Sequence, residues 1–362
     1  MAAICRPDSP LAQVQRLLLV RLRSAGDILL LTPAAAALKA ARPDLLIAVL
    51  VEERFTALLD GHPHFDAVLG VVKRRPLGRH LPTLARRLRR FEFDLALDLH
   101  GGWRAALYTL LSGARRRAGE ARFRFSRSYH LPLTPTSCSA RHTVEHNFEL
   151  LSALGLQAAP GPLVPALPES AQKRGSVLIS GAGIAPGQRY AVLQPTSNRA
   201  SRRLEPEKFA EVARGLAHAG LAVLVSAGPG EQRQAAQVVE MARHHQVRAV
   251  YPRDLAELAG VLQKASLFVG NDSGPSHLAA ALQLPTVVVF GSSDPQRWHP
   301  WTTRGAWLSR GLSCSPCRGH RCLRPAGERF LCLTEISAGA VLQTALGLLQ
   351  ARQVGLIQPM AQ

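Results

Sequence analysis

Four polar segments, each directly after an apolar run, hold the residues that could do chemistry. The first is Gly26-Asp27, followed by Thr32-Pro33. Glycine permits a tight turn and close approach of a ligand. A carboxylate at the end of a strand could take a proton from an incoming hydroxyl. Asp27 also suits a helix N-cap, and position alone favours the cap. Gly-x-Gly-x-x-Gly is absent here, so this is not a dinucleotide fingerprint. The second segment is Asn271-Asp272-Ser273-Gly274-Pro275-Ser276-His277, between a short strand and an Ala-rich helix. Ser273 and Gly274 would present backbone N–H groups at a helix N-terminus, a ready site for a diphosphate. Pro275 fits the first helical turn, and His277 lies one turn in, near the same pocket. An ordinary capped helix with a surface His shares this pattern, but the density of polar groups favours phosphate.

The third segment is Gln194-Pro195-Thr196-Ser197-Asn198, followed by Arg199, Arg202 and Arg203. Guanidinium groups there could pair with phosphate oxygens bidentately. The fourth is Ser226-Ala227-Gly228-Pro229-Gly230-Glu231. Glu231 could accept hydrogen bonds from ribose hydroxyls, or simply complement a helix dipole from the first turn. Three such loops in one half of the chain converge on a phosphate site, cationic pairs and a ribose acceptor. Cys314-x-x-Cys317, Cys322 and Cys332 form a separate cluster, with His320 nearby. Four cysteines suit a structural zinc site, although the spacing is irregular for a zinc ribbon. The alternative is a set of reduced thiols in a loop.

Positioning these segments requires alternating strands and helices. Leu17 to Arg21, Leu45 to Val51, Ala67 to Val72 and Leu95 to Leu99 read as buried strands. A Pro-, Ala-, Gly- and Ser-rich break from about 160 to 187 reads as a linker. The pattern then restarts with strands at Tyr190 to Gln194, Leu221 to Ser226, Leu267 to Val269 and Pro285 to Phe290. Helices are expected at Glu207 to Ala219, Glu231 to His244, Leu255 to Lys264 and Ile336 to Gln350. The fold class is therefore α/β: two Rossmann-like, doubly wound domains, residues 1–170 and 185–362, facing a cleft. The last helix is free to pack back on the first domain.

Length and composition agree with this organisation. A chain of 362 residues suggests two domains. Hydrophobic residues make up 47% and charged residues 19%, which excludes global disorder. The net charge of +19 points to an anionic partner or surface. Residues 73–127 carry 15 basic and 4 acidic side chains, either solvated helix faces or a basic surface for an acceptor. The start of the chain lacks the apolar stretch of a signal peptide, and the longest apolar runs are too short to span a bilayer. The expectation is a cytoplasmic protein.

Taken together, these motifs resemble glycosyltransferase family nine, the heptosyltransferases of lipopolysaccharide core assembly. The resemblance runs from about Leu17 to the final helix. Its carriers are the run Arg21 to Pro33, Asp98-Leu99-His100-Gly101, His146-Asn147, Gly270 to His277 and Gly291-Ser292-Ser293-Asp294-Pro295. It implies a GT-B fold with an N-terminal acceptor domain and a C-terminal nucleotide-sugar donor domain. It also implies inverting transfer from ADP-heptose, with no cofactor or metal required. The family's catalytic base falls on Asp27, and its diphosphate turn on Asp272, Ser273 and Gly274. Its ribose-binding Glu falls on Glu231. The remaining donor contacts are Thr196, Arg202 and His277. The family's phosphate-binding Lys stands beside a Trp-Pro pair; here Arg202 is followed by Leu204-Glu205-Pro206, and Arg for Lys changes the geometry. Arg75, Arg122 and Arg124 would meet an acidic glycolipid acceptor at the cytoplasmic face of the inner membrane. No nucleic-acid partner is implied.

Three other readings stay open. A relative could use the same machinery on a protein or another glycan. A GT-B nucleotide-sugar epimerase would work without an acceptor. A non-enzymatic polyanion binder would show steep salt dependence and would ignore loss of Asp27.

Overall fold

The structure is a computed structural model. It describes residues 3–72, 77–135, 142–317 and 322–354, without the side chains of 77–79 and 352–354. The chain divides into two compact units, Met1–Ala166 and Leu167–Gln362.

In the first unit the strands are β1 (Ile4–Cys5), β2 (Arg16–Val20), β3 (Leu46–Glu52), β4 (Ala67–Val71), β5 (Leu95–Asp98), β6 (Arg116–Glu120), β7 (Leu131–Leu133) and β8 (Leu156–Gln157). Its helices are α1 (Ala25–Leu29), α2 (Thr32–Ala41), α3 (Leu77–Arg89), α4 (Gly102–Leu111) and α5 (Thr143–Ala153). Six strands form one parallel sheet in the order β4-β3-β2-β5-β6-β7. β1 and β8 pair antiparallel apart from it. The Leu-Leu-Leu-Val run of β2 is fully buried, as expected for a central strand covered by helices on both faces. α2 forms because Pro33 sits in its first turn and alanines, the best helix formers, follow.

The second unit repeats the design. Its strands are β9 (Tyr190–Gln194), β10 (Ala222–Ser226), β11 (Val247–Val250), β12 (Leu267–Asn271), β13 (Thr286–Phe290) and β14 (Gly305–Ser309). Its helices are α6 (Glu169–Gly181), α7 (Pro206–His218), α8 (Gln232–Ala242), α9 (Leu255–Leu262), α10 (Gly274–Ala281), α11 (Pro295–Trp298), α12 (Leu331–Thr334) and α13 (Ala338–Val354). The sheet is again parallel, in the order β11-β10-β9-β12-β13-β14.

Numbered within each unit, both orders are 3-2-1-4-5-6, the doubly wound arrangement with a chain reversal beside the first strand. The reversal falls between β2 and β5 in one unit and between β9 and β12 in the other. Loops leaving those four strands therefore carry the ligand sites expected of such sheets.

Two expectations need correction. The stretch read as a linker contains α6, which packs on α9 and belongs to the second unit. Its small residues allow a close crossing: a Cβ on Gly175 would stand 2.3 Å from the Gly260 carbonyl carbon. The closing helix α13 lies against α7 and the second sheet, where Val341, Ala345, Leu348 and Leu349 join the core. Residues 326–351 are long and apolar enough to cross a membrane by composition, but this packing gives their apolarity a core role.

Candidate active site

In the first unit, Arg21 ties together the two loops that flank the reversal. One guanidinium nitrogen donates to the Leu99 carbonyl after β5, and the other reaches Asp27 Oδ1 at 2.5 Å. The second Asp27 oxygen accepts the Ser24 backbone N–H at 2.7 Å and the Ser24 hydroxyl at 3.1 Å. Asp27 is thus the third residue of α1 reaching back to close a capping box, rather than the N-cap itself. Capping and chemistry are compatible here, because the side chain keeps 18% of its surface open. Burial pushes its pKa up, but the Arg21 charge and the Ser24 and Arg21 hydrogen bonds outweigh that and hold it below the usual carboxylate value. Asp27 is an ionised acceptor at neutral pH.

The neighbouring loop is held by a buried carboxylate. Asp98 is fully buried and accepts from Tyr129 Oη at 2.7 Å and from the His100 and Gly101 amides at 2.8 and 2.9 Å. Burial raises its pKa against those bonds. Gly101 has φ +70°, and a Cβ there would meet the Phe123 ring at 2.9 Å. His100 is pushed down to about 4, by burial first and then by the nearby Arg21 charge, so its imidazole is neutral. Asp98, His100, Arg21, Ser24 and Tyr129 were not assigned roles from sequence. The signal was the Asp-x-His-Gly turn at the end of the strand beside the reversal. Further along, buried Glu120 is engaged by Arg122 and lies 3.2 Å from His146 Nε2. Arg124 lies over the Phe125 ring at 5.8 Å. Arg122 and Arg124 each have a local partner, and Arg75 lies outside the described residues.

In the second unit, the four loops at the reversal knit together. Asn271 is fully buried and bridges two of them, accepting from the Leu204 amide at 3.0 Å and donating to the Pro195 carbonyl at 2.8 Å. Arg202 Nη1 stands 2.9 Å from Asp272 Oδ2, which also accepts from the Ser293 hydroxyl. Thr196 donates to Glu231 Oε2 at 2.7 Å and accepts from Gln194 Nε2 at 2.6 Å. Ser273 is the N-cap of α10, yet no side chain caps that helix, since the Ser273 hydroxyl turns back to the Asn271 carbonyl. Gly274 opens the helix, and His277 is buried one turn in. The structure therefore gathers Arg202, Asp272 and Ser273-Gly274 on one side, and Thr196 with Glu231 on the other. Ser293 was missed as a support for Asp272, although it lies in a quoted motif. His320 lies outside the described residues, and the four clustered cysteines lie apart from this network except through Ser201 and Ser292.

Two units, each with a parallel six-stranded, doubly wound sheet, are the architecture of the GT-B fold. The family model for glycosyltransferase family 9 (heptosyltransferase) matches residues 82–326, and the protein belongs to that family. Lipopolysaccharide heptosyltransferase 3 of Escherichia coli is 29% identical over 296 residues, covering 78% of this chain and 85% of that relative. The crystal structure of a family 9 glycosyltransferase from Veillonella parvula superposes with a TM-score of 0.81 at 22% identity, covering 93% of this chain and 97% of the other. E. coli heptosyltransferase WaaC, solved with ADP, gives a TM-score of 0.72 at 25% identity, covering 91% and 98%. The protein is a glycosyltransferase, which sets aside the epimerase and the non-enzymatic binder.

Proposed function

We propose that this enzyme transfers heptose, with inversion, from ADP-heptose to the inner core of lipopolysaccharide. The observation that carries the reading is the uncapped N-terminus of α10, flanked by Arg202 and by the Thr196–Glu231 pair. Such a terminus attracts a diphosphate. Arg202 would swing from Asp272 towards the leaving phosphate and offset its developing charge. Glu231 would accept from the ribose hydroxyls, with Thr196 holding the carboxylate in place. Asp27, ionised and partly open, would take the proton of the acceptor hydroxyl as it attacks the anomeric carbon. The transition state would carry oxocarbenium character, and the chemistry would call on no metal. A relative solved with ADP and relatives named for lipopolysaccharide support the choice of donor and acceptor.

The acceptor is an acidic glycolipid in this reading, met from the cytoplasmic face of the inner membrane. α3 buries Leu88 and turns Arg86, Arg87 and Arg89 to solvent, and the adjoining α4 exposes Trp103 and Leu110 by nearly half. Exposed arginines on one helix and an exposed aromatic on the next suit an anionic lipid surface. An acceptor on a protein would need no such face.

The test is thermal stability with ADP, UDP, GDP and CMP. A ligand at a hundred times its dissociation constant stabilises by about 2.7 kcal/mol. ADP alone should do so, and ADP-heptose should then be consumed only when a core acceptor is present. Stabilisation by UDP or GDP instead would retain the glycosyltransferase and discard heptose from ADP-heptose as the donor.

A further inference from the structure

The 310–332 segment has little to hold it. It contains one short 3-10 turn, Ala326–Glu328, and otherwise no helix or strand before α12 among the described residues. Yet it is pinned at one end to the loops of the second unit's site. The Cys317 amide donates to the Ser292 carbonyl at 2.8 Å, and the Ser315 hydroxyl to the Gly291 carbonyl at 3.1 Å. At that point Cys314, Cys317, Cys322 and Cys332 together line a cavity of about 10 Å³, with Ser201 and Ser292 on its other wall. That is close to the room one water or small ion needs.

Two of the sulfurs face hydrogen-bond donors. The Arg324 guanidinium approaches Cys314 Sγ at 3.5 Å, and the Phe330 amide donates to Cys322 Sγ at 3.5 Å. Such donors favour a thiolate and are the usual surroundings of a metal-bound sulfur. A divalent cation in the cavity would give all four sulfurs one counter-charge. None of the four is in a disulfide. Among the described residues no group of three or more His, Cys, Asp or Glu side chains already stands in metal-binding geometry, so the ion would draw the thiols inward.

We propose that Cys314, Cys317, Cys322 and Cys332 bind one soft divalent ion, zinc or iron, as a tetrathiolate that fastens the 310–332 segment to the Gly291–Ser293 loop. Four thiolates in a tetrahedron select these two metals. The ion's role is structural, because all four of its positions are filled by protein. Its effect reaches the site through a short chain of contacts. Ser292 Oγ bonds Ser201 Oγ at 2.9 Å, and the flanking Ser293 and Arg202 both hold Asp272.

The test uses the full chain purified without chelator. Elemental analysis should find about one zinc or one iron per chain, and the element found distinguishes the two. The double variants Cys314→Ser/Cys317→Ser and Cys322→Ser/Cys332→Ser should lose the metal, while Cys5→Ser should keep it. Protein recovered empty should take up Co²⁺ anaerobically and show the visible bands of a tetrahedral cobalt tetrathiolate. Bound metal should also shield four thiols from alkylation until a chelator is added, a readout that holds even where a variant fails to fold. Metal retained at full stoichiometry by Cys314→Ser/Cys317→Ser overturns the proposal. So does a folded wild type that is empty, silent towards zinc, iron and cobalt, and alkylated at these cysteines as fast as at Cys5.

Discussion

Replacing Asp27 with Asn separates its two roles. The amide oxygen can still accept the Ser24 N–H, so the start of α1 is kept. What is lost is the negative charge. For catalysis, removing a general base costs about 10²- to 10⁴-fold, or about 2.7–5.4 kcal/mol in the barrier. For stability, the Arg21 side chain, 12% exposed, loses its charged partner at 2.5 Å. A charge-assisted bond of that kind contributes about 1.5–3 kcal/mol. In a unit of 166 residues each kcal/mol moves the melting temperature by about 2–4 °C, so its transition should fall by about 3–12 °C. The groups proposed to hold the donor sit in the other unit, so ADP affinity should not change. The assay is single-turnover transfer at a temperature where the variant is fully folded, with ADP binding measured by calorimetry. A turnover loss below tenfold refutes Asp27 as the base. A loss of ADP affinity that accounts for the whole rate effect refutes it equally.

Removing the Arg21 charge, as in Arg21→Met, should move the acid limb of kcat/KM to higher pH. Arg21 is the main influence lowering the Asp27 pKa, and the burial that remains pushes it up. The same pairing has a stability signature. A carboxyl whose folded pKa is depressed stabilises above its unfolded value near 3.8 and loses that contribution as pH falls through the folded pKa. Acid unfolding of Arg21→Met should therefore show less of this loss, and an unmoved acid limb counts against the assignment. Glu231→Ala should weaken ADP by about tenfold to a hundredfold, the loss of a hydrogen bond to a charged group. 2′,3′-Dideoxy-ADP should lose nothing further in that variant; an equal additional loss would place the ribose elsewhere. Gly175→Ala should destabilise the second unit by about 1–3 kcal/mol in urea, because its new Cβ is driven into the Gly260 backbone. An unchanged midpoint would mean that α6 and α9 can slide apart freely.

The central strands were legible because parallel strands buried on both faces are continuous apolar runs. β2, β9, β10, β12 and β13 are all of this kind, and each was read within two residues. β6, with the sequence Arg-Arg-Ala-Gly-Glu, and β7, Leu-Pro-Leu, were not read as strands. β11 and β14 were missed for the same reason. They lie at or near sheet edges, where one side is open and the apolar pattern fades. α6 was misread because glycine, alanine and serine look alike in a linker and in a close helix crossing; only the approach of Gly260 tells them apart.

The site divides along the same line. By itself, sequence determined which residue types follow each strand: a carboxylate at 27, a glycine and serine opening a helix at 273–274, arginines at 202 and 203, a carboxylate at 231. These are local features, set by what a strand-end turn and a helix start require. Only the tertiary structure decided their partners. It set Arg21 between Asp27 and the Leu99 carbonyl, paired Arg202 with Asp272, Thr196 with Glu231, and buried Asp98 under Tyr129. It also brought four cysteines, spread over 19 residues of sequence, around one cavity. Charge state follows from partners and burial, and both depend on residues tens of positions away brought close by the order of strands in the sheet.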